Sequence, residues 1–448
     1  MTRIGPPVPA ALRAAPALTL LLPLVLLQGC SLIPGFGMRD QPPPPPAYQP
    51  ESVETHSFTV GPDDEILGEL ATVPVDNGDT LSDLARHYGL GYQQVVAANP
   101  DIDPWTPPAG TKALLPLRFI LPDAPRKGVV INLANMRLFH FTGNSSLTTY
   151  PVGIGREGRA SPLGAMTVDR KMPNPTWYVP ESIRRDHARK GDPLPAAVSP
   201  GPDNPLGAYA LYLSRPSYLI HGTNKPFSIG VRASNGCIRL YPEDIRVLFR
   251  DVKERSQVRI VNQPYLVAVG QSDIYLEAHE PHEELSPKQA RAAVMAKLKK
   301  LEKKRGATLN WARITRVLDE VRGIPVAVGH AATATPDYAA GAVALQHPGR
   351  LNGQPEPVVT ANAGDSWYVR AATTDDGTSA DKLAAVLNHM GPRIPARAVA
   401  KGSRYEVLAG PYADAKTARQ ANKQLRLDLE IDGQIVEPRQ RLSLRATH

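Results

Sequence analysis

Apolar positions change rhythm repeatedly along this chain, and each change marks a different kind of structure. Near the start an unbroken apolar run, Leu18 to Leu27, follows Arg3 and Arg13. The run is too short to span a bilayer and has the flanks of an export signal, so no transmembrane helix is expected after processing. Between residues 73 and 116, strand-like Val73–Val75 and Lys112–Leu115 enclose two short helical patterns. The first is capped by Asp79 and turns Leu81, Leu84 and Ala85 inward; the second runs from Tyr92 to Ala98 and stops at "NP", which gives β-α-α-β. From 128 to about 262 the period drops to two. GVVINLANMRLFHF alternates about an "AN" turn, SSLTTYPVGIG continues it, and Gly and Pro recur in REGRASPLGAM, MPNPTWYVP and SPGPDNPLGAYALYL. This predicts an antiparallel sheet assembly with long loops, the usual seat of function. The helical period returns over 285–322, with Ser286 and Asn310 as N-caps, Gly near both ends and Lys/Arg on a solvated face. Residues 327–364 show no period and read as a linker with a span of roughly 35 Å. The tail, 366 to about 438, repeats strand and helix as β-α-β-β-α-β through SWYVRA, SADKLAAVLNHMG, RYEVLAGPYADAKTARQANKQL and QIV.

Composition changes this picture in three ways. A length of 448 residues calls for several domains, and 46 prolines with 35 glycines suggest that they are strung out on linkers. "QPPPPPAYQP" is extended at about 3.1 Å per residue, so residues 31–71 form a tether that reaches on the order of 100 Å. The net charge of +8 and the pI near 9.3 favour an anionic partner, acidic lipid or wall polymer. No zinc-finger spacing, RNP-type strand or compact basic run supports nucleic-acid binding.

The candidate chemistry rests on two cysteines, Cys30 in "LQGC" and Cys237 in "SNGCIRL". A thiol attacks a carbonyl usefully only as thiolate, which needs a base within hydrogen-bond reach and a group to orient that base. His221, at the end of the strand "YLI", is the candidate base. A β-hairpin-like return through GTNKPFSIGVRASNG brings Cys237 back beside it.

"LQGC" resembles the lipobox of bacterial lipoproteins. The resemblance implies that Cys30 is diacylated, its thiol consumed in a thioether, and Ser31 after it points to a periplasmic protein anchored to the outer membrane. Cys237 is then left without a disulfide partner, so reactivity accounts for it. "GDTL", "LARHYGL" and "AANP" resemble a LysM domain, which implies binding of N-acetylglucosamine-containing glycans. "YEVLAGPYADAKTA" resembles a SPOR domain, which implies binding of peptidoglycan strands stripped of stem peptides.

H-G-T…S-N-G-C-I-R-L resembles the active-site motif of YkuD-type L,D-transpeptidases, and the likeness continues upstream through NLANMRLFHF, YPVGIGR, SPLG, NPTW and PGPDNPLGAYAL. It implies a mainly β catalytic domain, a YkuD-type β-sandwich, within a multidomain chain. Cys237 is then the nucleophile and His221 the base, oriented by the Gly222 carbonyl. Backbone N–H groups of Gly236 and Cys237 would face the oxyanion. Arg239 would hold a substrate carboxylate bidentately, with Ser234, Asn235 and Thr223 also lining the substrate site. Asn235 stands where the family carries a second His, so base function rests on His221 alone. The reaction implied is attack on the third residue of a tetrapeptide stem, release of D-alanine, and transfer of the acyl group to a stem-peptide amine or to a lysine of an outer-membrane lipoprotein. No cofactor or metal is called for. A carboxypeptidase on the same fold and a non-catalytic wall-binding scaffold remain as alternatives. The segment from Ile183 to Pro205 is the candidate lid. The expected organisation is a lipoprotein signal over 1–30, a tether over 31–71, a LysM-like domain over 72–118 and the catalytic domain over 126–262. A helical extension over 263–326, a linker over 327–364 and a SPOR-like domain over 365–438 follow.

Overall fold

The computed structural model describes residues 56–143, 145–189, 191–270, 273–306, 308–354, 366–389 and 394–438. The export signal, Cys30 and the polyproline stretch lie outside them. The catalytic region is built on a nine-stranded mixed sheet. Its first half holds strands Ser146–Pro151, Arg137–Thr142, Gly128–Asn132 and Gln257–Val261, and its second holds Tyr209–Leu213, Leu219–His221 and Ile238–Arg239. A single long strand, Gly164–Pro173, belongs to both: Gly164–Thr167 pair with Gln257–Ile260, and after an irregularity at Val168/Arg170 the rest pairs with Tyr209–Leu213. Such a bulge bends a strand and lets one sheet fold over on itself. Val129 and Ile131 from one half and Leu211, Ile220 and Ile238 from the other are each buried to within 1% of complete and share one core.

The opposite face of the sheet is also apolar. Val130, Phe139 and Leu147 point away from that core and pack with Leu81, Leu84, Leu90 and Val95 of the β-α-α-β module, Ala71–Pro74, Leu81–His87, Tyr92–Ala98 and Lys112–Leu115. The near-continuous apolar run VVIN follows from this, since a strand covered on both faces cannot alternate. On its other side, Leu70, Ala98 and Leu114 of the module join the core of helices Pro287–Arg305 and Trp311–Glu320 and the hairpin Tyr265–Val269/Ile274–Ala278. Ser286 and Asn310 cap these helices as their sequence suggests, accepting from Gln289 N and Arg313 N, and Gly306 ends the first in the left-handed region.

Several elements differ from the sequence reading. The domains are not strung out: the described residues cluster as one compact unit, because the module is covered on both sides. His56–Thr59, read as tether, is an edge strand paired with Ser146–Thr149, and Val343–Ala344, read as linker, pairs in parallel with Ala71–Thr72. The first module helix is capped by Thr80, whose hydroxyl accepts from Asp83 N at 3.1 Å. Asp79 instead turns its carboxylate to Asp76 N, 2.7 Å, and His347 Nε2, 3.0 Å. The second extension helix ends on Val321 at φ 44°, two residues before Gly323. The tail is β-α-β-β-α-β, with Trp367–Thr374 and Arg404–Tyr412 central in a four-stranded sheet and its own core around Val369, Leu387, Val407 and Leu425. Among the described residues no helix is long and apolar enough to cross a membrane.

Candidate active site

His221 closes strand Leu219–His221 and Cys237 stands immediately before Ile238–Arg239. These two strands pair in parallel, Ile220 opposite Ile238 and His221 opposite Arg239. The expected hairpin is therefore a crossover: a parallel neighbour can only be reached by leaving the sheet and returning. The excursion runs through Pro226–Ser228 and strand Arg232–Ser234, which pairs with Ile154–Gly155.

The β-α-α-β module braces the excursion. Tyr92 N and Gln93 N donate to the carbonyls of Ile229 and Gly230 at 3.3 and 3.2 Å. Gly230, at φ 78°, lies so close that a Cβ there would meet Gly91 Cα at 2.3 Å. Around it, Arg86 is paired with Glu243 at 3.0 Å and Tyr241 Oη donates to Leu90 O at 3.2 Å.

His221 is 3% exposed, and its Nδ1 lies 2.6 Å from Gly222 O. A carbonyl only accepts, so Nδ1 carries the proton and Nε2 keeps its lone pair. Burial, helped by the Arg239 charge, pushes the imidazole down to about 3, and the Gly222 and Leu206 carbonyls only partly oppose this. Burial raises the Cys237 thiol, against the pull of Leu219 N–H and Arg239. Its hydrogen goes to Ser217 O at 3.7 Å, and Ser217 reaches this position at φ 72°. Both partners are thus held uncharged at neutral pH. The Arg239 guanidinium is part-buried, its Nε lacks a hydrogen-bond partner, and no carboxylate pairs with it among the described residues.

The turn before the thiol differs from expectation. Gly236 N–H, expected to face an oxyanion, donates to Ser234 Oγ at 3.0 Å, while Ser234 Oγ–H donates to Cys237 O at 2.6 Å. Ser234, 2% exposed, fastens the turn through both of these bonds. Gly236 contributes its conformation: at φ 105° a Cβ would come within 2.9 Å of the Tyr218 ring. Thr223 is likewise buried, its hydroxyl accepting from Lys225 N at 2.9 Å. Asn235 is exposed and meets Arg156 Nη2 at 3.5 Å.

The candidate lid is more than a loop. It begins within helix Glu181–Arg189, which has no buried residue, and its Ala197–Val198 forms a small ribbon with Trp177–Tyr178 just upstream. At its base the buried Asn204 donates from Nδ2 to Pro175 O at 2.8 Å and accepts from Leu206 N at 2.9 Å. Asn204 and Ser217 escaped sequence reading. Only the "PDNP" turn residues hint at the first, and nothing in the sequence marks a carbonyl aimed at the thiol.

Three families match the chain: the L,D-transpeptidase catalytic domain, YkuD, over residues 126–260, the SPOR domain over 363–437 and the LysM domain over 75–112. The chain is similar to a Salmonella typhimurium protein named "Probable L,D-transpeptidase ErfK/SrfK", 38% identical over 58% of this chain and 87% of that protein. It is also similar to the Escherichia coli protein of the same name, 44% identical over 47% of this chain and 68% of the other. A third relative, "Probable L,D-transpeptidase YcfS" of Escherichia coli, is 42% identical over 48% and 70% respectively.

Proposed function

The chain belongs to the L,D-transpeptidase family, and we propose that it acts through Cys237 and His221 on tetrapeptide stems of peptidoglycan. Its LysM and SPOR domains bind that polymer. Cys237 attacks the carbonyl of the third stem residue as its proton passes to His221 Nε2. The C–N bond to D-alanine breaks, the leaving amine takes the proton from His221, and a thioester remains. An acceptor amine then attacks the thioester carbonyl, loses a proton to His221 and releases the thiol. Gly222 O keeps the imidazole in the required tautomer, and the unpaired Arg239 receives a stem carboxylate. Cys237 N–H remains as the oxyanion donor of the turn.

What carries this reading is the uncharged imidazole at the end of one strand, its Nδ1 fixed by Gly222 O at 2.6 Å, and the uncharged thiol just before the parallel strand beside it. The acceptor is a second stem peptide or a lysine of an outer-membrane lipoprotein. Cys30, in a lipobox-like sequence, anchors the enzyme by lipid on the periplasmic face of the outer membrane. Purified protein incubated with tetrapeptide fragments, alone and with a lysine-bearing acceptor peptide, is read by mass spectrometry. Crosslinked product and released D-alanine are expected, and Cys237→Ala gives neither. Tripeptide as the sole product would reject transfer in favour of hydrolysis, and continued turnover by Cys237→Ala would reject the nucleophile. Absence of labelled fatty acid on the intact protein would reject the anchor.

A further inference from the structure

The C-terminal domain contacts the lid and the segment between His221 and Cys237 through one helix. That helix, Ala415–Leu429, carries Lys423 and Asp428, and the two pair with these different elements. Lys423 Nζ donates to Asp192 Oδ1 at 3.0 Å, just beyond the end of lid helix Glu181–Arg189. Lys225 Nζ, on the excursion between His221 and Cys237, donates to Asp428 Oδ1 at 3.1 Å. One helix is therefore tied at once to the lid and to the segment joining base to nucleophile.

The lid is susceptible to such a tie. Its helix buries no side chain and is tied to the rest of the chain by exposed contacts such as Arg156–Asp186 at 3.7 Å, while the firmer hydrogen bonds lie at the ribbon and at Asn204. The four latch side chains are a quarter to a half exposed, so each pair is weak and screened by salt. The same domain also meets the β-α-α-β module: His389 Nδ1 lies 2.7 Å from Asp83 Oδ2 with both side chains 8% exposed, and Lys382 lies 2.6 Å from Asp103. One buried contact on this side and only exposed charged pairs at the lid describe a cover that can swing.

We infer that the C-terminal domain is a reversible latch that restrains the lid and the segment between His221 and Cys237, and so slows reaction at the part-exposed thiol, while Lys423–Asp192 and Lys225–Asp428 are closed. A ligand that binds this domain better when undocked shifts the chain to the open form. The latch thereby couples what the domain holds to how fast the thiol reacts.

Thiol accessibility tests this without relying on turnover. In the full chain carrying Cys30→Ser, Cys237 is the sole cysteine, and its alkylation by iodoacetamide is followed by intact mass. The rate is expected to rise with salt between 20 and 500 mM (about the range over which such pairs are screened). Lys423→Glu with Asp428→Lys, which places like charges at both contacts, is expected to raise the low-salt rate about fivefold and to abolish the salt dependence. Adding Asp192→Lys and Lys225→Glu restores both pairs in reverse and is expected to return the slow, salt-dependent rate. An unchanged or slower rate in the double variant would overturn the latch, as would a quadruple variant that stays fast.

Discussion

At the scale of single residues, burial and the Arg239 charge hold His221 neutral, and burial holds Cys237 as a thiol, so attack requires proton transfer within an uncharged pair. The acylation rate with a carbapenem should then show no inflection near pH 6.5, where an ordinary histidine titrates, and should climb only as pH approaches the raised thiol value. A sharp fall below pH 6.5 would contradict a buried, neutral base. His221→Ala should slow the same reaction about a hundredfold, whereas Asn235→His, at an exposed position with one long contact, should change it by less than about tenfold. Gly236→Ala forces a side chain into the Tyr218 ring at φ 105° and should approach the loss seen in Cys237→Ala, read as acylation at matched fold content. The contact of the His221 imidazole with the Gly222 carbonyl was legible in the sequence, because few residue types can do the chemistry proposed for His221 and Cys237. Ser234 and Thr223 were not, because a hydroxyl serves substrate or backbone equally well. Which of the two it does depends on turn conformations that residue identity leaves open.

Among the elements, the helices were the most legible: 3.6-residue periodicity and caps such as Ser286 and Asn310 locate them directly. The parallel pairing of the strand ending in His221 with the one that Cys237 precedes was not, since local pattern reports a strand and not its neighbour. Edge strands His56–Thr59 and Val343–Ala344 are too short to carry a period and take their pairing from strands distant in sequence. The excursion from His221 to Cys237 depends on a helix of another module. Gly230→Ala should therefore push Tyr92–Ala98 off the loop, costing about 2 kcal/mol or more of stability and lowering acylation although no reacting group is touched. Thermal melting alongside the acylation assay checks both, and a variant that melts lower yet acylates normally would show that the brace supports only the fold.

For the whole molecule, pH stability follows from groups buried in their neutral form. His56, His221 and His282 are pushed down to about 4, 3 and 4. Below 6.5 the unfolded chain binds protons that the folded one refuses, so stability falls as pH drops from 6.5 towards 4. Asp244 is pushed the other way, up to about 8, by burial and Glu243, so stability also falls as pH rises from about 4 to 8. Three groups outweigh one below 6.5, and the melting temperature should peak near that pH, with Asp244→Asn flattening the alkaline side. Removing residues 366–448 should leave the rest of the chain folded, because that domain has its own core, with reaction towards soluble fragments at least as fast as in the full chain, while weakening pull-down by denuded glycan. Domain identities were legible from local motifs, but the compactness was not, because it lies in the second apolar face of VVIN and in Arg137. That side chain is fully buried, stacked 4.0 Å over Phe119 and donating to Gly89 O at 3.0 Å. The LysM domain that this arginine reaches is usually pictured as a cassette that recombination can move between proteins. Here Val130, Phe139 and Leu147 would lose their cover with it, so the pair must descend as one unit, and sequence drift on either side of the shared core should be correlated.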